Sequence, residues 1–138
     1  NATWQKSLDY SKYIAGTNTE SETYKMQLPH IPILFFNWML DYRKDNPFGG
    51  KGQYARAYYE GGYTDKYYYG YELSRNQDYK IPSTCLHTVG MEYGIMNRKV
   101  LFGVECHNLF DTDEMTNFNY PLAGRTIMAK IRFTTLKW

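Results

Sequence analysis

Cysteine is nearly missing from this sequence. Two in 138 residues are too few for a disulfide scaffold. No stretch approaches the roughly 18 uncharged apolar residues that a transmembrane helix needs, so a helical membrane protein is excluded. No basic block is present. Sixteen Lys and Arg are mixed along the chain with fourteen Asp and Glu, for a net charge of +2, and nothing here would drive nucleic-acid binding. No segment is low in complexity and 43% of residues are apolar, which excludes disorder. Helical periodicity of useful length is missing too. The chain starts at Asn1 without Met, basic n-region or apolar h-region, and stops on Trp138 inside an apparent strand. The expectation is a piece of a longer polypeptide.

What the chain does have is aromatic residues. Fifteen Tyr, seven Phe and three Trp make up 18% of it, yet the mean hydropathy is −0.64. The apolar signal has period two almost throughout. Cys85, His87, Val89, Met91, Tyr93 and Ile95 alternate with Leu86, Thr88, Gly90, Glu92 and Gly94. After Asn97 and Arg98 the apolar face moves to Val100, Phe102, Val104 and Cys106, with Gly103, Glu105 and His107 opposite. A hairpin with Met96 facing Lys99 predicts the pairs Ile95–Val100, Tyr93–Phe102, Met91–Val104 and Val89–Cys106, with Glu92 against Gly103 on the other face. A one-residue slip would ruin every pair. The same register spaces Cys85 and Cys106 roughly 13 Å apart, too far for a disulfide.

Further strands follow the same rule. Leu34, Phe36, Trp38, Leu40 and Tyr42 alternate with Phe35, Asn37, Met39, Asp41 and Arg43. From 53 onward Ala55, Ala57, Tyr59, Gly61 and Tyr63 oppose Arg56, Tyr58 and Glu60, and Tyr67, Tyr69 and Tyr71 read as an extension. Ile127, Ala129, Ile131 and Phe133 oppose Lys130, Arg132 and Thr134 in the last strand. Ala2, Trp4, Leu8 and Tyr10 suggest the end of another, interrupted by Lys6. The expected fold is all-β, an antiparallel up-and-down meander of about six long strands. Tight turns fall near 45–52 and 97–98, and long polar loops near 11–27, 72–83 and 111–123. Short turns at one end and long loops at the other are the organisation of outer-membrane barrels, whose polar faces line the interior and whose aromatics form interfacial girdles. A soluble antiparallel sandwich alternates as well. Periodicity alone does not choose between them.

The segment 108–138 adds a resemblance. It reads Asn108-Leu109-Phe110-Asp111, then Pro121-Leu122-Ala123-Gly124-Arg125, then a strand ending on Trp138. This resembles the C-terminal end of TonB-dependent outer-membrane receptors: an Asn-Leu-Phe/Thr-Asp strand end, a Pro-x-x-Gly-Arg loop and a final strand closed by an aromatic. Pro29 and Pro32 before the Tyr42 strand, and Pro82 before the Tyr93 strand, resemble the Pro-led strands of those barrels. Ala123 departs from the family's frequent Pro. Leu136 and Trp138 sit on even positions, against odd ones through Phe133, and resemble the signal read by the barrel-assembly machinery. A bulge near Thr134–Thr135 would reconcile the two parities.

The resemblance implies that residues 1–138 are the C-terminal part of a 22-stranded, plugged outer-membrane barrel in a Gram-negative bacterium. The plug domain, the TonB box and the N-terminal strands would lie outside this chain, and TonB would act only through that plug. The final strand would run from outside to periplasm, making 45–52 and 97–98 periplasmic turns. The parent would import a scarce bulky nutrient, by default a ferric siderophore or other iron complex, otherwise haem, cobalamin or an oligosaccharide. The piece would not transport alone, and its partners would be outer-membrane lipid, the assembly machinery and further copies of itself. The rival expectation is a soluble secreted β-sandwich binding a carbohydrate or other small ligand.

Catalysis, cofactors and metals find little support. His87 and His107 are predicted on opposite faces, and His30 lies in a Pro-flanked segment. Asp41, Glu60, Glu92 and Glu105, near Arg43, Arg56, Lys130 and Arg132, read as a hydrated network on a barrel wall; Glu105 and Lys130 would make one ion pair in a register that set them face to face, and the long loop leaves that register open. By position, Arg75, Tyr79, Phe118 and Tyr120 on the outer loops are the candidates for ligand contact.

Overall fold

A computed structural model describes residues 1–71, 80–117 and 120–134. Among the described residues there are ten strands and no helix. They are β1 (Ala2–Trp4), β2 (Leu34–Asp45), β3 (Tyr54–Thr64), β4 (Tyr67–Tyr68), β5 (Lys80–Ile81), β6 (Thr84–Ile95), β7 (Val100–His107), β8 (Met115–Asn117), β9 (Tyr120–Pro121) and β10 (Thr126–Phe133). One six-stranded sheet has the order β1-β2-β3-β6-β7-β10, and β4-β5 and β8-β9 form two small ladders. The all-β, antiparallel expectation holds at this level.

The chain divides into two compact units. The first, here the loop unit, comprises Asn1–Phe36, Tyr63–Cys85 and Asp113–Leu122. The second, the wall unit, comprises Asn37–Gly62, Leu86–Thr112 and Ala123–Trp138.

In the wall unit the hairpin register is the predicted one. Val89–Cys106, Met91–Val104, Tyr93–Phe102 and Ile95–Val100 pair, and Glu92 meets Gly103. The Lys99 amide donates to the Met96 carbonyl at 3.2 Å to close the turn. Asn97 and Arg98 both take positive φ, the condition a type I′ connection imposes, and Met96 joins them. Asn46, Gly49 and Gly52 supply the positive φ values that turn the chain between β2 and β3. β10 pairs with β7 so that Ile127, Ala129, Ile131 and Phe133 oppose Cys106, Val104, Phe102 and Val100. The polar loop 111–123 leaves room to set this register, so apolar matching decides it.

The loop unit differs more from expectation. β1 is only three residues long, pairing Ala2–Phe36, Thr3–Phe35 and Trp4–Leu34. Beyond Lys6 the chain changes partner: Leu28 N–H donates to Ser7 O, Asp9 N–H to Met26 O, and Leu8 bridges Gln27. Tyr67 and Tyr68 do not extend β3 but pair with Ile81 and Lys80 as a separate ladder. The cause is local. Asp65 donates its N–H to Leu34 O and accepts the Lys66 N–H on its side chain at 2.9 Å, turning the chain out of the sheet. The loops expected at 72–83 and 111–123 therefore contain β5 and the β8-β9 ladder. Ile81, at the end of β5, is the most deeply buried large side chain among the described residues.

Candidate functional site

The two faces of the wall sheet are the best-built feature. Alternation places Trp38, Leu40 and Tyr42, then Ala57 and Tyr59, then Val89, Met91 and Tyr93, on one face with Phe102, Val104, Ile127, Ile131 and Phe133. That face is apolar and open: Met91 is 64% exposed, Val104 51% and Ile131 61%.

The other face is mostly polar and partly covered by its own side chains, with Arg43, Lys130 and Met128 still exposed. Tyr58 and Leu101 are each only 8% exposed there. Arg56 donates to Asp41 at 2.6 and 2.8 Å, Arg43 donates to the same carboxylate at 2.8 Å, and Arg56 lies 3.7 Å from Glu92. The Arg56 guanidinium also stands 4.6 Å over the Tyr58 ring. Lys130 donates to Glu105 at 2.8 Å, so the expected ion pair forms, but diagonally: Met128 is opposite Glu105, and Lys130 is opposite Gly103. His107 Nε2 lies 3.0 Å from Glu105 but lacks the alignment of a hydrogen bond, and its Nδ1 is 3.3 Å from the Thr88 hydroxyl. Of the four acids expected near basic partners, Asp41, Glu92 and Glu105 stand in ion pairs, whereas Glu60 and, among the bases, Arg132 are exposed. An apolar stripe in the open beside mostly covered carboxylates differs from the usual arrangement of a water-soluble sheet.

Two glycines set how closely this sheet packs. A Cβ on Gly61 would collide with the Trp38 indole, and one on Gly90 with the Tyr58 ring. Each glycine thus makes a slot for an aromatic from the neighbouring strand. The strand pattern does not predict these slots; glycines inside strands, Gly61-Gly62 and Gly90, were the available signal.

Aromatic side chains gather at both ends of the apolar face. The His87 ring stacks on Tyr59 at 5.8 Å, meets Trp38 and Phe110 edge-on at 5.6 and 4.8 Å, and shares a 2.6 Å hydrogen bond with the Tyr59 hydroxyl. His87 and His107 therefore do occupy opposite faces. Toward the turns, Phe48 lies 6.0 Å from Tyr93.

Among the motif residues, Asn108, Asp111, Gly124 and Arg125 come together. Buried Asn108 donates to Thr112 O at 2.8 Å and accepts the Thr112 N–H at 2.9 Å, while Asp111 accepts the Arg125 N–H at 2.7 Å. A Cβ on Gly124 would press on the Asp111 carboxylate. The motif is a clasp joining the end of β7 to the start of β10. Leu109 contributes its N–H to His87 O at 2.8 Å, and Phe110 its ring to the aromatic group. Pro121 pairs with Met115 in the loop unit.

Arg75, Tyr79, Phe118, Leu136 and Trp138 lie outside the described residues, as does the side chain of Tyr120. The proposed bulge falls partly there too. The two cysteines are not joined in a disulfide, and among the described residues no group of three or more His, Cys, Asp and Glu side chains converges to hold a metal.

The loop unit holds a hollow of about 170 Å³ lined by Gln27, Ile33, Tyr67, Tyr68 and Lys80, among others. His30 lies edge-on to Tyr69 at 5.1 Å. Asp9 accepts from the Thr23 hydroxyl at 2.6 Å and the Ser11 N–H at 2.7 Å, and these bonds hold its carboxyl below the ordinary 3.8. Burial pushes Glu114 the other way, above 4.5.

No family model, curated protein or solved structure matches this chain.

Proposed function

We propose that the chain is a wall segment of a TonB-dependent outer-membrane receptor, the C-terminal part of a 22-stranded barrel. The parent would take up a scarce bulky nutrient, a ferric siderophore or other iron complex by default. The segment would not transport by itself. The observation that carries this reading is the sheet's two faces: Met91, Val104 and Ile131 stand open, while on the opposite face Tyr58, Arg56 and the carboxylates of Asp41, Glu92 and Glu105 are mostly covered. Lipid would cover the first face in a barrel, and a hydrated lumen would border the second. Three strands are long enough: β2, β3 and β6 have 12, 11 and 12 residues, against the 9–11 that a tilted spanning strand needs, whereas β7 and β10 have eight each. Aromatics at both ends of the apolar face suit the two interfaces. The Asn108–Asp111 and Gly124–Arg125 clasp gives the family-like motif a structural task.

A soluble sandwich would instead bury Val104 and Ile131 under a second sheet. The test is the refolded chain in detergent micelles carrying a nitroxide-labelled amphiphile. Resonances of Phe102, Val104 and Ile131 are expected to broaden while those of Glu105 and Lys130 are spared. A chain that is monodisperse in water without detergent, with Val104 packed in a core, would overturn the proposal.

A further inference from the structure

At the turn end of the wall unit the chemistry changes in a fixed order. The apolar stripe gives way to Tyr42, Tyr93, Phe133 and, at the tip of the β2–β3 turn, an 80% exposed Phe48. Next come Lys44, Lys51, Arg98 and Lys99, against the single acid Asp45 in this stretch of the two turns. Arg98 is occupied: it donates to Asp45 at 2.9 Å and lies 4.3 Å over the Tyr54 ring. Lys44, Lys51 and Lys99 are exposed, and among the described residues no acid pairs with them.

These lysines do not sit on loose loops. The Asn97 N–H donates to Gly52 O at 2.9 Å, tying the two turns together, and the Thr134 N–H donates to Lys99 O at 2.7 Å, tying the second turn to the end of β10. The rim is therefore a braced row of ammonium groups just beyond an aromatic belt. An apolar band, then amphipathic rings, then long cationic side chains matches the order met on leaving hydrocarbon for a negatively charged headgroup layer. The two units also differ in charge. The wall unit has ten Lys and Arg against six Asp and Glu, and the loop unit has six against eight.

We propose that this rim docks on anionic phospholipid headgroups, with Lys44, Lys51 and Lys99 supplying the contact and Phe48 inserted among the lipids beside them. The inference rests on the wall reading above and adds to it which end meets anionic lipid, and through which side chains. The attraction comes from unpaired ammonium groups against phosphate and weakens with salt.

The experiment measures partitioning of the full refolded chain onto vesicles of phosphatidylcholine alone and of phosphatidylcholine mixed with phosphatidylglycerol. Substituting Lys44→Gln, Lys51→Gln and Lys99→Gln together is expected to cut the preference for anionic vesicles by about fivefold per lysine. Binding to neutral vesicles should stay unchanged, and the triple Lys→Arg variant should retain the preference. A control triple, Lys6→Gln, Lys25→Gln and Lys66→Gln in the loop unit, should leave it intact. If both glutamine triples lower the preference alike, or neither does, the rim is no docking surface and only the wall reading survives. If Val104→Arg with Ile131→Arg leaves binding to neutral vesicles untouched, the apolar face does not meet lipid and both readings fall.

Discussion

In the wall unit Met91, Val104 and Ile131 stand open, while Tyr58, Arg56 and the carboxylates of Asp41, Glu92 and Glu105 are mostly covered. In the loop unit the most buried large side chain is an isoleucine, Ile81, and Lys6, Lys12 and Lys25 point to solvent. Large apolar side chains stand open in both units, Trp4, Tyr10 and Ile14 in the loop unit as well as Met91, Val104 and Ile131 in the wall unit, but in the wall unit they line up on one face of a sheet. Exposure alone does not explain the contrast. The strand pattern does: a period of two delivers an apolar face whatever medium lies beside it.

That contrast can be broken most directly at the middle of the open face. Val104→Arg is expected to destabilise the lipid- or detergent-refolded chain by about 2–4 kcal/mol if that face meets hydrocarbon. On a water-exposed face the same change should stay within about 0.5 kcal/mol. Denaturant titration in micelles against a parallel Lys12→Arg control in the loop unit reads the difference. Next in size is Gly90→Val, which drives a side chain into the Tyr58 ring and should cost about 1–3 kcal/mol. Adding Tyr58→Ala should recover part of that loss, a coupling that a double-mutant cycle measures.

Asn108→Ala removes two hydrogen bonds from a buried side chain and is expected to cost about 1–3 kcal/mol. Because Asn108 also has a φ of 49°, Asn108→Gly serves as the comparison that separates backbone strain from bonding. Lys130→Met should matter least in the wall, below about 1 kcal/mol, since its partner Glu105 is reached across an exposed ladder.

The smallest effect belongs to the loop unit. Asp9 titrates below 3.8 when folded, so its bonds to Thr23 and Ser11 contribute stability above the unfolded value and lose it as pH falls through the folded one. Protection of the Ser11 amide against exchange should drop across that acid range. The Asp9→Asn variant should show no such step, and the wall amides should not follow it.

Legibility in the sequence tracks this division. The Val89–Ile95 and Val100–Cys106 hairpin could be paired residue by residue because every alternative register sets apolar side chains against polar ones. The turn near 45–52 announced itself through Asn46, Gly49 and Gly52, and all three take positive φ. The tyrosines at 67–71 misled, since alternation continues past Asp65 while the backbone does not. One carboxylate that caps the Lys66 N–H outweighed the pattern. The Glu105–Lys130 pair was foreseen without its register, because a long side chain reaches a diagonal neighbour as readily as a facing one.

By itself, the sequence determined an all-β chain, the parity of each long strand, the hairpin register, and which side chains share a face. These follow from local geometry, because successive residues of a strand must point to opposite sides. Only the tertiary structure decided that Met91, Val104 and Ile131 stand open, that Trp38 and Tyr58 fill the slots over Gly61 and Gly90, and that Asp111 clasps the start of β10. Those outcomes depend on which atoms remote segments bring within reach, and periodicity along one strand carries no record of that.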